Sequence, residues 1–239
     1  MRTVIAAAAV LASSFAITAT ASAQATATAT PNQAGKGTKL HTELDASQPP
    51  VSGRIPKETV LSIQSGYRFD GRAVAKRCTA GQADQDKCPA KSAVGTATIN
   101  ATYNAFPVSV PVRLYLAAPQ QTGDVAGFFA VAKILDSTYA APGRLVRTTE
   151  APFGLSVILP TPGGDGVSMV QGIQFQSFES DIGATRTITK GKKKHKRKVT
   201  YSLVTNPPTC DMGSWASRVV FTFGDGSTAA LDAPIACTP

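Results

Sequence analysis

From residue 40 onward apolar and polar side chains alternate with a period of two, the repeat that sends successive side chains to opposite faces of a sheet. Val108, Val110, Val112, Leu114 and Leu116 alternate with Ser109, Pro111, Arg113 and Tyr115. Phe128, Ala130, Ala132 and Ile134 face away from Phe129, Val131 and Lys133; Ile173 and Phe175 alternate with Gln174 and Gln176, and Val219, Phe221 and Phe223 with Arg218, Val220 and Thr222. The 20 Gly and 16 Pro of this 239-residue chain punctuate it too often for long helices. Gly163-Gly164-Asp165-Gly166 and Asp225-Gly226 supply the positive-φ positions of tight hairpins. Together these signals predict an all-β fold: an antiparallel β-sandwich of roughly ten to twelve strands, with at most one short helix between Ala73 and Gln85. Pro111 cannot donate to a ladder, so its strand is expected to lie at an edge or to bulge there.

The first 23 residues follow different rules. Arg2, the apolar stretch from Val4 to Ile17 and the closing Ala21-Ser22-Ala23 form a signal peptide with a small-x-small cleavage site before Gln24. A membrane anchor is the alternative, but Ser13, Ser14, Thr18 and Thr20 dilute a run already short of the ~20 residues that span a bilayer. The expected localisation is secreted or extracellular, with retention at the cell envelope left open. Residues 24–39 are mostly Ala, Thr, Gly, Asn and Gln. That composition buries too little surface to repay its ordering entropy and reads as a flexible stalk, despite the alternation of Ala and Thr from Ala25 to Thr30. Residues 40–239 are then one β-sandwich domain.

Four cysteines in an exported chain are expected to pair. Of the three connectivities, Cys78 with Cys88 and Cys210 with Cys237 is favoured, because the first two are close in sequence and the last two bracket a predicted hairpin. A zinc site built from all four thiolates would need two knuckles with two to four residues between cysteines, and that spacing is missing.

Charge is concentrated in one place. Loss of the leader removes only Arg2, so the formal net charge falls from +9 to +8. Seven of those charges are Lys190, Lys192, Lys193, Lys194, Lys196, Arg197 and Lys198. The run lies between two strand-like stretches, 183–189 and 199–205, and is expected at a hairpin tip with Gly191 near the turn. One reading is a solvated loop; the sharper one is contact with anionic wall polymer, lipid surface or nucleic acid through charge. No aromatic side chains interleave the run to stack bases, which argues against specific nucleic-acid recognition.

Catalytic constellations are sparse. The two histidines are His41, beside the stalk, and His195, inside the basic run, which leaves little for a Ser-His-Asp triad or a His-rich metal site. Glu58, Glu150, Glu179 and Asp181 could supply the paired carboxylates of a glycosidase, although availability alone carries no argument. Asp84 and Asp86 resemble a fragment of a Ca²⁺ loop that lacks the remaining oxygen ligands. No catalytic residue, metal or cofactor is assigned.

Cys88-Pro89-Ala90-Lys91-Ser92-Ala93-Val94-Gly95, preceded by Cys78 and followed by Thr205-Asn206-Pro207-Pro208-Thr209-Cys210 and Trp215, resembles secreted actinobacterial β-rich proteins. In that group CPxxSxVG and TNPxxC motifs recur in this order. The resemblance spans about residues 50–239 and implies an extracellular, disulfide-bearing β module with no assigned activity. The leading expectation is therefore a non-enzymatic secreted or envelope-associated module, with the basic hairpin contacting anionic wall material. The alternative is an envelope glycan-binding domain or glycan-active enzyme using Tyr103, Tyr115 or Tyr139 as stacking surfaces.

Overall fold

Alternating segments become strands throughout the computed structural model, which describes residues 24–52, 54, 56–134, 137–160, 173–191 and 196–239. In chain order they are β1 (Gln24–Thr30), β2 (Gly37–Asp45), β3 (Pro56–Gln64), β4 (Arg68–Phe69), β5 (Ala93–Tyr103) and β6 (Phe106–Ala117). The middle of the chain adds β7 (Asp124–Ile134), β8 (Ser137–Arg147), β9 (Phe153–Pro160) and β10 (Ile173–Ile182). The remainder forms β11 (Thr185–Lys190), β12 (Arg197–Ser202), β13 (Val204–Thr205), β14 (Ser214–Trp215), β15 (Ser217–Phe223), β16 (Thr228–Asp232) and β17 (Ile235–Ala236). Thirteen of these strands have five residues or more, slightly above the expected ten to twelve. Among the described residues one short α-helix, α1 (Ala80–Asp84), lies where one was expected, opened by a capping box between Thr79 and Gln82.

The main sheet runs β16-β15-β3-β9-β8-β7-β6-β5-β10-β2, continues through β13 and β4, and has β1 beside β2. All of its ladders are antiparallel. Leu40 of β2, Ile63 of β3, Leu114 of β6, Phe128 of β7, Leu145 of β8 and Leu155 of β9 share one core. Strands far apart in the sheet order meet there only because the sheet folds over on itself, which makes the architecture an all-β sandwich. A cavity of about 80 Å³ remains among these apolar side chains.

Pro111 sits where its strand can tolerate it. β7 pairs β6 only from Val112 to Ala117, so among the described residues Phe106 to Pro111 has β5 as its one neighbour. The other face of β6 and β7 is also buried in part, because Tyr115, Phe129 and Val131 pack with Cys78 and Ala83. The disulfide between Cys78 and Cys88 thus fastens a small flap carrying α1 over the outside of the sheet. Asp86 in the same flap pairs with Arg113 of β6.

The second disulfide, Cys210 to Cys237, has its Cα atoms 5.9 Å apart, within the normal range. Beside it Trp215 is fully buried, donates from Nε1 to the Thr209 carbonyl at 2.8 Å, and meets the Tyr67 ring edge-on at 5.6 Å. Motif residues act structurally in this region. The buried Asn206 amide donates from Nδ2 to the carbonyls of Pro31 and Gln33, at 2.9 and 2.8 Å. Ser92 donates to the Pro89 carbonyl at 2.6 Å. Gly95 is required by close approach, since a Cβ there would collide with the Asp181 carbonyl of β10.

Residues 24–39 are not a free stalk. β1 pairs with β2 along its whole length, from Gln24 opposite Asp45 to Thr30 opposite Lys39, and Ala27 and Ala29 are buried. The turn that follows is tied down by Asn206 and by Thr38, whose hydroxyl donates to the Pro31 carbonyl. Ala does bury little surface, but β2 offers an open edge whose N–H and C=O groups need partners, and the small side chains fit against the core. The signal peptide expected over residues 1–23 lies outside the described residues, as does the Gly163-Gly164-Asp165-Gly166 turn.

Candidate functional site

Two surface features concentrate charge, and they have opposite signs. The positive one is the hairpin of β11 and β12, which forms a two-stranded sheet of its own. Its register sets Thr185 opposite Ser202 and Lys190 opposite Arg197, with a hydrogen bond of 2.8 Å between the Thr187 and Thr200 hydroxyls. Ile188 and Val199 pack against the edge of the core, and Arg186 donates to the Val74 carbonyl at 3.5 Å, so the base of the hairpin is attached. Towards the tip the attachment ends. Lys190, Lys196, Arg197 and Lys198 are exposed, and none forms a salt bridge with a described acid. Lys190 instead has its Nζ 5.3 Å from the Tyr201 ring centroid. Gly191 has a φ of 105°, in keeping with a turn just beyond β11. Lys192, Lys193, Lys194 and His195 lie outside the described residues.

The acidic feature lies on the outer face of β1, β2 and β10. Alternation along β2 buries Leu40, Thr42 and Leu44 and turns Lys39, His41, Glu43 and Asp45 outward. β10 sets Asp181 directly opposite His41 and Glu179 directly opposite Glu43. The His41 Nδ1 lies 3.1 Å from Asp181 Oδ1, and its Nε2 lies 3.2 Å from Glu43 Oε1. The hydrogen bond to Glu43 and the Asp181 carboxylate raise the His41 pKa above its ordinary 6.5, against a smaller opposing effect of burial. Thr26 of β1 donates to Glu43 at 3.4 Å. Next to the cluster is an open cavity of about 280 Å³ lined in part by the polar Gln24, Glu43, Asp45, Asn100, Ser177 and Glu179 and by Leu44 and Phe178.

Sequence reasoning placed the cations of the basic run at a hairpin, and the described four lie on or next to its strands. It named Glu179 and Asp181 together among the available carboxylates and His41 apart from them, and did not join the two, because 140 residues separate His41 from Asp181. Glu43 was missed, although its spacing of two from His41 on an alternating strand puts both on one face. Glu58 and Glu150 lie apart from the cluster, on β3 and in the turn before β9. Asp225 serves a turn: its carboxylate accepts from the Ser227 N–H and hydroxyl and from Arg54. Among the three tyrosines considered as stacking surfaces, Tyr115 is buried under the flap, Tyr139 is half-buried and Tyr103 is exposed.

The two disulfides suit an oxidising, extracellular environment. No helix among the described residues is long and apolar enough to cross a membrane. Comparison with protein-family profiles, curated proteins and solved structures returns no match.

Proposed function

We propose that the protein is a non-enzymatic module, exported and held at the cell envelope, in which the basic hairpin contacts an anionic wall polymer. The observation that carries this reading is the hairpin tip, where four described cations are exposed and without acidic partners. A solvated loop needs charge, but it does not need seven cations in nine residues while the rest of the exported chain is nearly neutral. Lys190 opposite Arg197 on adjacent strands is a repulsive arrangement, and a polyanion lying across both strands would relieve it. Such binding releases counterions and weakens as salt rises.

The test is co-sedimentation of the protein with purified cell-wall sacculi over a salt series, using the parent and a variant lacking residues 190–198. The parent is expected to sediment at low salt, with a log–log salt slope no steeper than about −6 for seven cations, and the deletion variant to stay in solution. Equal sedimentation of the two at low salt would overturn the proposal. The competing reading, a glycan-binding or glycan-active domain, draws on Tyr103 and Phe106, both exposed where β5 turns into β6. Sedimentation that survives high salt and is lost in Tyr103→Ala would replace the charge-driven reading with that one.

A further inference from the structure

We propose that His41, Glu43 and Glu179 form a binding site for a divalent transition cation of the Zn²⁺ class, with Asp181 positioning the imidazole. The side chains come from two adjacent strands in fixed register, with Glu179 opposite Glu43 and Asp181 opposite His41. Their candidate ligand atoms, one each from His41, Glu43 and Glu179, all lie within 4.8 Å of one another. Two ligands about 2.0 Å from a tetrahedral centre stand about 3.3 Å apart. The 3.2 Å between His41 Nε2 and Glu43 Oε1 already matches that edge. Glu179 is exposed, with a carboxylate oxygen within 4.8 Å of both other ligand atoms, on the side of the third corner.

The histidine carries the identification beyond a patch of acids. A metal-bound imidazole usually donates its other N–H to a carboxylate, which fixes the tautomer and aims the free nitrogen. His41 has this arrangement, with Nδ1 held 3.1 Å from Asp181 and Nε2 directed at Glu43. The electrostatics point the same way. Glu43 faces Glu179 across the ladder, and like charges in direct opposition destabilise a sheet. Among the described residues no Lys or Arg forms a salt bridge with Glu43, Glu179 or Asp181. A bound divalent cation would cancel that repulsion.

One imidazole with carboxylates selects zinc and its neighbours over Ca²⁺, which takes six to eight oxygen ligands. Three protein ligands leave a fourth position open, and the cavity of about 280 Å³ lined by Glu43 and Glu179 gives it room for water or an oxygen-rich ligand. This site uses none of the basic hairpin's residues and stands whether or not the hairpin binds polymer.

Isothermal titration of ZnCl₂ into chelator-treated protein without a polyhistidine tag tests the site, with CaCl₂ as the comparison. One saturable equivalent of Zn²⁺ is expected, with Ca²⁺ binding at least tenfold weaker. His41→Ala and Glu179→Gln are each expected to lose tenfold or more in affinity, and Asp181→Asn roughly tenfold through loss of orientation. Because the chain has only two histidines, His195→Ala is the control and is expected to bind as the parent does. A Zn²⁺-dependent rise in melting temperature, lost in His41→Ala, is the second readout. Absence of stoichiometric binding, retention of full affinity in a folded His41→Ala variant, or equal affinity for Ca²⁺ would each overturn the assignment.

Discussion

Residues 24–39 and residues 190–198 look alike as sequence, since both are polar, poor in large apolar side chains and adjoin better strand patterns. They end up in different places. The first becomes β1, paired along seven residues with β2 and tied to Asn206 through the turn behind it. The described residues of the second, Lys190, Lys196, Arg197 and Lys198, lie on or beside the strands of a hairpin that forms a sheet of its own. The difference lies in what each can contribute. Alanine and threonine cover an open strand edge without repulsion, whereas a lysine run cannot be laid against a core and keeps its charges in water. Low hydrophobicity alone therefore does not separate a strand from an appendage; the deciding question is whether an unpaired edge is waiting.

Truncating the chain to begin at Gly37 should test the first half of that contrast with the largest effect. It strips the β2 edge and the partners of Asn206, and a loss on the order of 3 kcal/mol in urea unfolding is expected. A truncated protein as stable as the parent would return residues 24–36 to the status of a stalk. Asn206→Ala isolates the anchor within that segment. It leaves the Pro31 and Gln33 carbonyls without their side-chain donor, and about 2 kcal/mol should be lost by the same measurement.

A smaller and pH-dependent effect is expected at a site remote from both segments, which calibrates them. The Asp124 carboxylate accepts from Arg144 and from the N–H groups of Gln120 and Gln121. Arg144 in particular holds its pKa below the ordinary 3.8. A carboxylate lowered in this way contributes stability above its unfolded pKa and loses it as pH falls through the folded value. Asp124→Asn should thus be less stable than the parent at neutral pH and converge on it in melts taken below about pH 4. A gap that stays constant with pH would mean that the ion pair is not its source. Deletion of residues 190–198 should have the smallest effect on folding, within about 0.5 kcal/mol, since the described cations Lys190, Lys196, Arg197 and Lys198 are exposed and carry no ion pair to the described acids. A larger loss would show the basic run to be part of the fold after all.

Much of the architecture was legible from pattern. Alternation identified the strands, Pro111 marked the point where β6 loses its second neighbour, and proximity in sequence favoured the right cysteine pairs. Faces were read less well. Tyr115, on the polar face by alternation, is buried because the flap closed by Cys78 and Cys88 covers it, and Val108, on the apolar face, is exposed beyond the end of β7. Of the acidic cluster, the shared face of His41 and Glu43 on β2 was legible from their spacing, but its union with Glu179 and Asp181 was not, since it depends on β10 arriving beside β2 in one particular register.

By itself the sequence determined the period of the backbone, the turns and the density of charge, because each arises from neighbours a few residues apart. Only the tertiary structure decided which edge β1 covers, which face the flap hides and which carboxylates surround His41. Those outcomes depend on contacts between segments far apart in the chain, and a shift of one residue in strand register would have turned the same side chains to the opposite face.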